Sequence, residues 1–279
     1  MNHGQFCPVS RLEKLLIATD RSIFSEGAVT EAINFAKKCS SKLYVMSVLE
    51  TNPQYETVGA NVFEKEEQEA IEHLEYIKKR AAQEGLFCWA NLRYGEEPYR
   101  LIVEEADEKK VDMIIIGKHG RRGLTRVLMG SVAAKVIGHA RCKVLVVPKA
   151  ARIEYRNILV GIDGSEHGYR AASEAIEIAK RCGSKLIAVS AAHSEAELEE
   201  AKASLNEVVE MAQKEGIQVE ALPLIGRSHE VIVEIAGGRG IDLVVMGTLG
   251  KTGLRKALMG STTEKVIGLA GCAVLIVNA

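Results

Sequence analysis

The sequence predicts an α/β fold built as two tandem, doubly wound, parallel sheets of five strands each. Three observations carry this. Short apolar runs alternate with segments of helical apolar spacing along the whole chain. The order of these segments occurs twice, with Asp20 mapping onto Asp163, 143 positions further on. A glycine-rich stretch from Gly117 to Ser131 returns as Gly247 to Ser261, 130 positions further on.

Taken in order, residues 1–11 read as a loose polar tail, and Leu15 to Asp20 as a short buried strand ending in a carboxylate. The next helix is marked by Ala28, Ala32, Ile33 and Ala36, and Leu43 to Leu49 is the second strand. A polar loop with Pro53 and Gly59 leads into a long helix whose apolar face runs through Phe63, Ala70, Ile71, Leu74, Ile77 and Ala81 and which ends near Gly85. Phe87 to Leu92 is the third strand, Tyr99 to Lys109 a helix, Val111 to Ile116 the fourth strand and Lys143 to Val147 the fifth. The second half repeats the series from Asn157 to Asp163 onward and is shorter after its second strand. About half of the positions from Val111 to Val147 match their partners, so the chain is read as a duplication with units at 1–150 and 151–279.

Composition narrows the function. A formal charge of -1 supplies no basic field for nucleic acid and no pull toward an anionic membrane, which leaves small molecules and proteins as partners. No apolar run approaches the ~18 residues of a membrane span, and Met1 to Lys14 lacks the apolar core of a signal peptide, so a cytoplasmic location is expected. The six cysteines form no C-x-x-C pair and are expected to be buried free thiols.

Each glycine stretch follows the fourth strand of its copy and precedes a helix. Glycine there lets backbone N–H groups approach a phosphate chain, and the helix N-terminus adds unpaired donors and a positive dipole end. In sheets of this kind ligands sit beyond the carboxyl ends of the strands, where the first and fourth strands end. Asp20 with Gly117, and Asp163 with Gly247, should therefore meet at one crevice per copy. No G-x-G-x-x-G follows the first strand. Gly250-Lys251-Thr252 matches the end of a P-loop, but Val245 stands where the first glycine of that motif belongs.

What the chain does contain twice is G-x2-G-x9-G-S, as Gly117, Gly120, Gly130, Ser131 and as Gly247, Gly250, Gly260, Ser261. With the aspartate after the first strand and the Asp163-Gly164-Ser165 loop, this resembles the universal stress protein family in its tandem form. The resemblance implies a sheet of the adenine nucleotide alpha hydrolase type with strand order 3-2-1-4-5. It also implies ATP or a related adenine nucleotide as cofactor, with or without Mg2+. It assigns Asp20 and Asp163 to the ribose hydroxyls, and Gly117 and Gly247 to close passage of the backbone by the ribose and first phosphate. Gly120 and Gly250 permit the turn. Gly130-Ser131 with Val132, and Gly260-Ser261 with Thr262, face the outer phosphates. By strand position it puts adenine near Val48 and Val189. Arg121, Arg122 and Lys251 are candidate phosphate contacts, and His119 is an exposed loop residue. Arg21 and Phe24 depart from the family pattern and are expected to crowd the first pocket, while the shortened segment after His193 should open the second.

The resulting expectation is a non-catalytic nucleotide-binding regulator of a stress response, with an unidentified protein client. A slow ATPase or nucleotidyl-transfer enzyme and an empty interaction scaffold are the alternatives. Family members dimerise through the fifth strand, so the copies should pair with each other through Lys143 to Val147 and Ala273 to Val277. A homodimer through the same edge is the second arrangement this allows.

Overall fold

Four-residue runs such as Leu-Leu-Ile-Ala and Met-Ile-Ile-Ile, apolar at every position, suit strands covered on both faces. The computed structural model describes residues 7–10, 12–51, 60–120, 129–251 and 259–278. Its first half runs β1 (Lys14–Ala18), α1 (Glu26–Cys39), β2 (Lys42–Glu50), α2 (Ala60–Gln83), β3 (Cys88–Gly95), α3 (Pro98–Lys109), β4 (Met113–Gly117), α4 (Ser131–His139) and β5 (Lys143–Val147). The second half runs β6 (Asn157–Gly161), α5 (Glu166–Cys182), β7 (Lys185–Ala192), α6 (Glu195–Lys214), β8 (Val219–Ile225), α7 (Ser228–Gly238), β9 (Leu243–Gly247), α8 (Ser261–Leu269) and β10 (Ala273–Val277).

The strand order is β3-β2-β1-β4-β5-β10-β9-β6-β7-β8, which is 3-2-1-4-5 in each half. Pairing is parallel within each half. The halves join where β5 meets β10 antiparallel, with Leu145 opposite Leu275, so the two five-stranded sheets form one ten-stranded sheet. This is the intrachain edge pairing that the resemblance implied. Because the joint is antiparallel, the carboxyl ends of the strands in one half point opposite to those in the other. One face of the sheet, with Leu15, Ile17 and Val45, packs under α1, α2, α5 and α6. The other, with Leu16, Ala18 and Ile114, packs under α3, α4, α7 and α8.

Two expectations fail at the amino end of the chain. Residues 7–10 are not loose: Val9 and Leu12 are buried and Cys7 forms a disulfide with Cys39 at the end of α1. The tail folds back because the Ser41 hydroxyl donates to the Leu12 carbonyl, and Asp112 accepts from the N–H groups of Glu13 and Lys14, both at 2.8 Å. The expectation of six free thiols is corrected accordingly. Cys88, Cys142, Cys182 and Cys272 remain free, and burial pushes the Cys88 and Cys142 thiols up to about 12 and those of Cys182 and Cys272 to about 11, which keeps them unreactive. Disulfides are rare in reducing compartments, so the cysteines lend no support to the cytoplasmic expectation. Among the described residues no helix is long and apolar enough to cross a membrane.

In the second half the segment between β5 and β6 takes the place of the tail. Ala151, Ile153 and Tyr155 are buried, Ser184 Oγ donates to the Tyr155 carbonyl at 2.5 Å, and Asp242 accepts from the N–H groups of Tyr155 at 3.0 Å and Arg156 at 2.8 Å. The connection is thus packed structure, resting on Gly27 of α1, where a Cβ would overlap the Pro148 carbonyl oxygen.

Candidate functional site

Pairing of β1 with β4, Ala18 opposite Ile116, sets the ends of these strands side by side, and β6 with β9 does the same in the second half. The first crevice opens there. It encloses about 580 Å³ and is lined by Asp20, Val48, Gly117, Gly120, Gly130, Ser131 and Val132, among others. The second encloses about 270 Å³ and is lined by Asp163, Val189, Gly247, Gly250, Gly260, Ser261 and Thr262, among others. All the candidate site residues that the structure describes are thus brought together in their own crevice. Arg121 and Arg122 lie outside the described residues.

The aspartates are held by their own loops. Asp20 Oδ1 accepts from the Ser22 N–H at 3.1 Å and the Ser22 hydroxyl at 2.7 Å, and Asp163 Oδ1 accepts from the Ser165 N–H at 3.0 Å and hydroxyl at 2.6 Å. The second oxygen of each carboxylate faces the glycine loop. A Cβ on Gly120 would lie 3.0 Å from Asp20 Oδ2, and one on Gly250 would lie 2.5 Å from Asp163 Oδ2, which also accepts from the Lys251 N–H at 2.8 Å. Those glycines are needed so that loop and aspartate can touch. Gly117 and Gly247 serve packing too: a Cβ there would come within 3.0 Å of the Phe24 carbonyl oxygen, or within 2.7 Å of the His167 carbonyl.

Gly130 and Gly260 are different. They are the N-caps of α4 and α8 with φ near -65° and -67°, a conformation open to any residue, and their Cβ positions clear the other described residues by 3.5 Å or more. Among the described residues neither backbone nor packing asks for glycine. Neither helix has a side-chain cap, whereas α5 has one, Ser165 Oγ accepting from the Gly168 N–H at 3.1 Å. The first amides of α4 and α8 have no intrahelical partner and open on the crevices beside Ser131, Val132, Ser261 and Thr262.

A family model described as the universal stress protein family matches residues 11–148 and again 154–278. The chain belongs to the universal stress protein family. Universal stress protein MJ0531 of Methanocaldococcus jannaschii is 38% identical over 141 residues, covering 49% of this chain and 82% of that protein. Universal stress protein Sll1388 of Synechocystis is 30% identical over 149 residues, covering 48% of this chain and 96% of that protein. Each of these relatives therefore spans about one copy. In a crystal structure of a universal stress protein from Archaeoglobus fulgidus both copies find counterparts, with a TM-score of 0.77 over 96% of this chain and 99% of that one, at 20% identity.

Three expectations about the crevices of this tandem universal stress protein need correction. Arg21 lines the first crevice but does not fill it. It takes a left-handed backbone (φ 68°), donates from Nη1 to the Glu66 carbonyl and pairs with the Glu66 carboxylate at 3.5 Å, lying along α2. Phe24 turns to meet His119 edge-on at 6.1 Å between centroids. Nor is the second crevice the more open one. Lys251 reaches across it to pair with Glu200 of α6, and its Cε passes 3.0 Å from the Cβ position of Gly164. Finally, Val48 and Val189 are not equivalent. The Thr19 N–H donates to the Met46 carbonyl and the Ile162 N–H to that of Val189, so Val189 corresponds to Met46, and Ala191 corresponds to Val48.

Sequence reasoning missed the α2 and α6 side chains at the crevices, Glu66 in the first and Glu197, Glu200 and Ser204 in the second. Their helices follow segments of unequal length, so no fixed spacing announced them. His119 is shifted down by burial and then by the Lys118 charge, and is neutral at neutral pH. Among the described residues no group of three or more His, Cys, Asp or Glu side chains is placed to hold a metal ion.

Proposed function

We propose that this universal stress protein binds one adenine nucleotide in each crevice, ATP first among them, and acts as a non-catalytic regulator. Residues 1–150 and 151–279 are its two units. The carrying observation is the glycine at the head of α4 and of α8, where a cap residue would be tolerated by conformation and packing. A glycine there keeps the space in front of the free amides clear for an anion, and the positive end of the helix dipole favours it. Asp20 and Asp163, fixed by Ser22 and Ser165, would accept from the ribose hydroxyls. Adenine would lie against Val48 in the first crevice and Ala191 in the second.

The first crevice, at about 580 Å³, falls inside the ~300–1,000 Å³ typical of small-molecule pockets. The second, at about 270 Å³, would admit a triphosphate once Lys251 leaves Glu200. Equilibrium dialysis with ATP tests this reading. The native chain should take up two nucleotides, Gly130→Val or Gly260→Val should each leave one, and the double variant none, with circular dichroism unchanged. No uptake by the native chain would overturn it. Turnover above about one per second would instead mark a dedicated enzyme.

A further inference from the structure

Residues 118 and 248, one step into each glycine loop, have two jobs apiece. Their backbone carbonyls accept from the N–H groups of Gly130 at 3.0 Å and Gly260 at 2.8 Å, holding the N-terminal ends of α4 and α8 that face the crevices. The Lys118 side chain reaches into the other half directly, and that of Thr248 reaches it through Asn278. Lys118 Nζ donates to the Ala270 carbonyl, at the C-terminal end of α8, at 3.2 Å. The Thr248 hydroxyl bonds the Asn278 side chain, whose amide donates to the carbonyls of Ala140, at the C-terminal end of α4, at 2.8 Å and of Cys142 at 2.7 Å. Each helix is therefore held at its head by its own glycine loop and at its tail from the other half, α8 by Lys118 directly and α4 by Asn278, which Thr248 in turn contacts.

The antiparallel joint makes this possible. α4 starts beside the carboxyl end of β4 and runs back along the sheet, so it ends where β10 and its Asn278 arrive from the other half. Nine residues give each helix a length of ~13 Å, short enough to move as a rod. An ammonium also suits the negative end of α8, and burial lowers the Lys118 pKa, in keeping with an enclosed contact.

We propose that Lys118, Thr248 and Asn278 are positioning residues that couple the two crevices, so that filling one prepares the other. This rests on the nucleotide reading above. A phosphate on the amides of α4 fixes Gly130 and with it residue 118, whose side chain then steadies the tail of α8. The head of α8 is the second cradle, and ordering already completed by the first ligand is not required again for the second. The sign of the coupling is positive, and by reciprocity it runs equally in both directions.

Isothermal titration with ATP on the native chain, on Lys118→Met with Asn278→Ala, and on Thr248→Val supplies the test. The native chain should bind its second ATP about 5-fold or more tightly than independent sites would, with a Hill coefficient above one. The double variant should still bind two ATP with a Hill coefficient of one. Independent sites in the native chain, or cooperativity that survives in the double variant, would overturn the coupling. Thr248→Val breaks the ring at another link with little change of shape, and serves if the double variant fails to fold. Should the native chain bind no ATP, the nucleotide reading fails, and amide hydrogen exchange decides the coupling by itself. Lys118→Met should then speed exchange at Gly260 and Glu264, whose N–H groups are bonded at the head of α8, as well as in the last turn of α8. A change confined to that last turn would overturn it.

Discussion

The two crevices share a scaffold and differ in what crosses them. In the first, a cation on the loop after β1, Arg21, lies along α2 and leaves about 580 Å³ clear. In the second, a cation on the glycine loop, Lys251, bridges to α6 and leaves about 270 Å³. The residues beside each glycine loop are also exchanged: Phe24 meets His119 in the first half, and the corresponding positions in the second are His167 and Leu249, so that each half keeps one imidazole and one apolar side chain there. Strand ends and glycine spacing thus specify that a crevice exists. Its size follows from where two loop cations, Arg21 and Lys251, are drawn by glutamates on α2 and α6.

The halves also differ in how their leading segments are tied, and this contrast should give the largest effect. The first half uses the Cys7–Cys39 disulfide, with a sequence separation of 32, where the second uses chain continuity. Cys7→Ser should cost about 3–4 kcal/mol on the chain-entropy estimate for a loop of this length. Urea unfolding of that variant, and of the native chain with and without dithiothreitol, checks it; equal midpoints would make the disulfide irrelevant to stability. Next is packing at the end of the fourth strand of each half. Gly247→Ala places a Cβ 2.7 Å from the His167 carbonyl and should lose about 1–3 kcal/mol, and Gly117→Ala, at 3.0 Å from the Phe24 oxygen, less. Thermal melts that reversed this order would contradict the difference in closeness.

Smaller still is the effect of the bridge across the second crevice. In a Gly130→Val background, where only the second site is left, Glu200→Gln should free Lys251 and tighten ATP by about 3-fold, the scale of an exposed ion pair. Weaker binding, read by titration calorimetry, would mean that Glu200 holds Lys251 in place for the ligand and does not restrain it.

The smallest contrast is between two equivalent glutamates of opposite consequence. Glu31 is raised above its ordinary 4.5, chiefly by burial, with the Arg152 charge and the Ile153 N–H pulling the other way, so the fold favours its protonated form. That contribution is complete below pH 4.5 and is lost as pH rises through the raised value. Glu31→Gln should therefore match the native chain in acid and gain on it toward neutral pH. Glu174→Gln removes an ion pair to Lys143 at 2.6 Å and should lose stability at pH 7. Denaturation at several pH values compares the two; the same sign for both would show that burial does not dominate at Glu31.

The central strands were legible because both faces are buried and the runs are continuous; Lys143 to Val147 is β5 as read from the sequence. The edge strand β3 was read one residue early, since Phe87 is apolar but 69% exposed and lies before Cys88. The glycine motif placed the crevice because its spacing repeats. The packed tail was not legible. Val9 and Leu12 belong to no run of strand or helical spacing, and only the fold shows that they occupy the place of the later connection around Tyr155. The base-binding end was misread by two positions although Ser47 and Ser190, at the same 143-residue offset as Asp20 and Asp163, mark Ala191 as the partner of Val48; the backbone bonds from Thr19 and Ile162 give the same register.

The antiparallel meeting of β5 with β10 gives the molecule two working ends that look away from each other. A flat, rigid partner can press on one of them at a time. While it does so, the crevice at the opposite end stays in solvent.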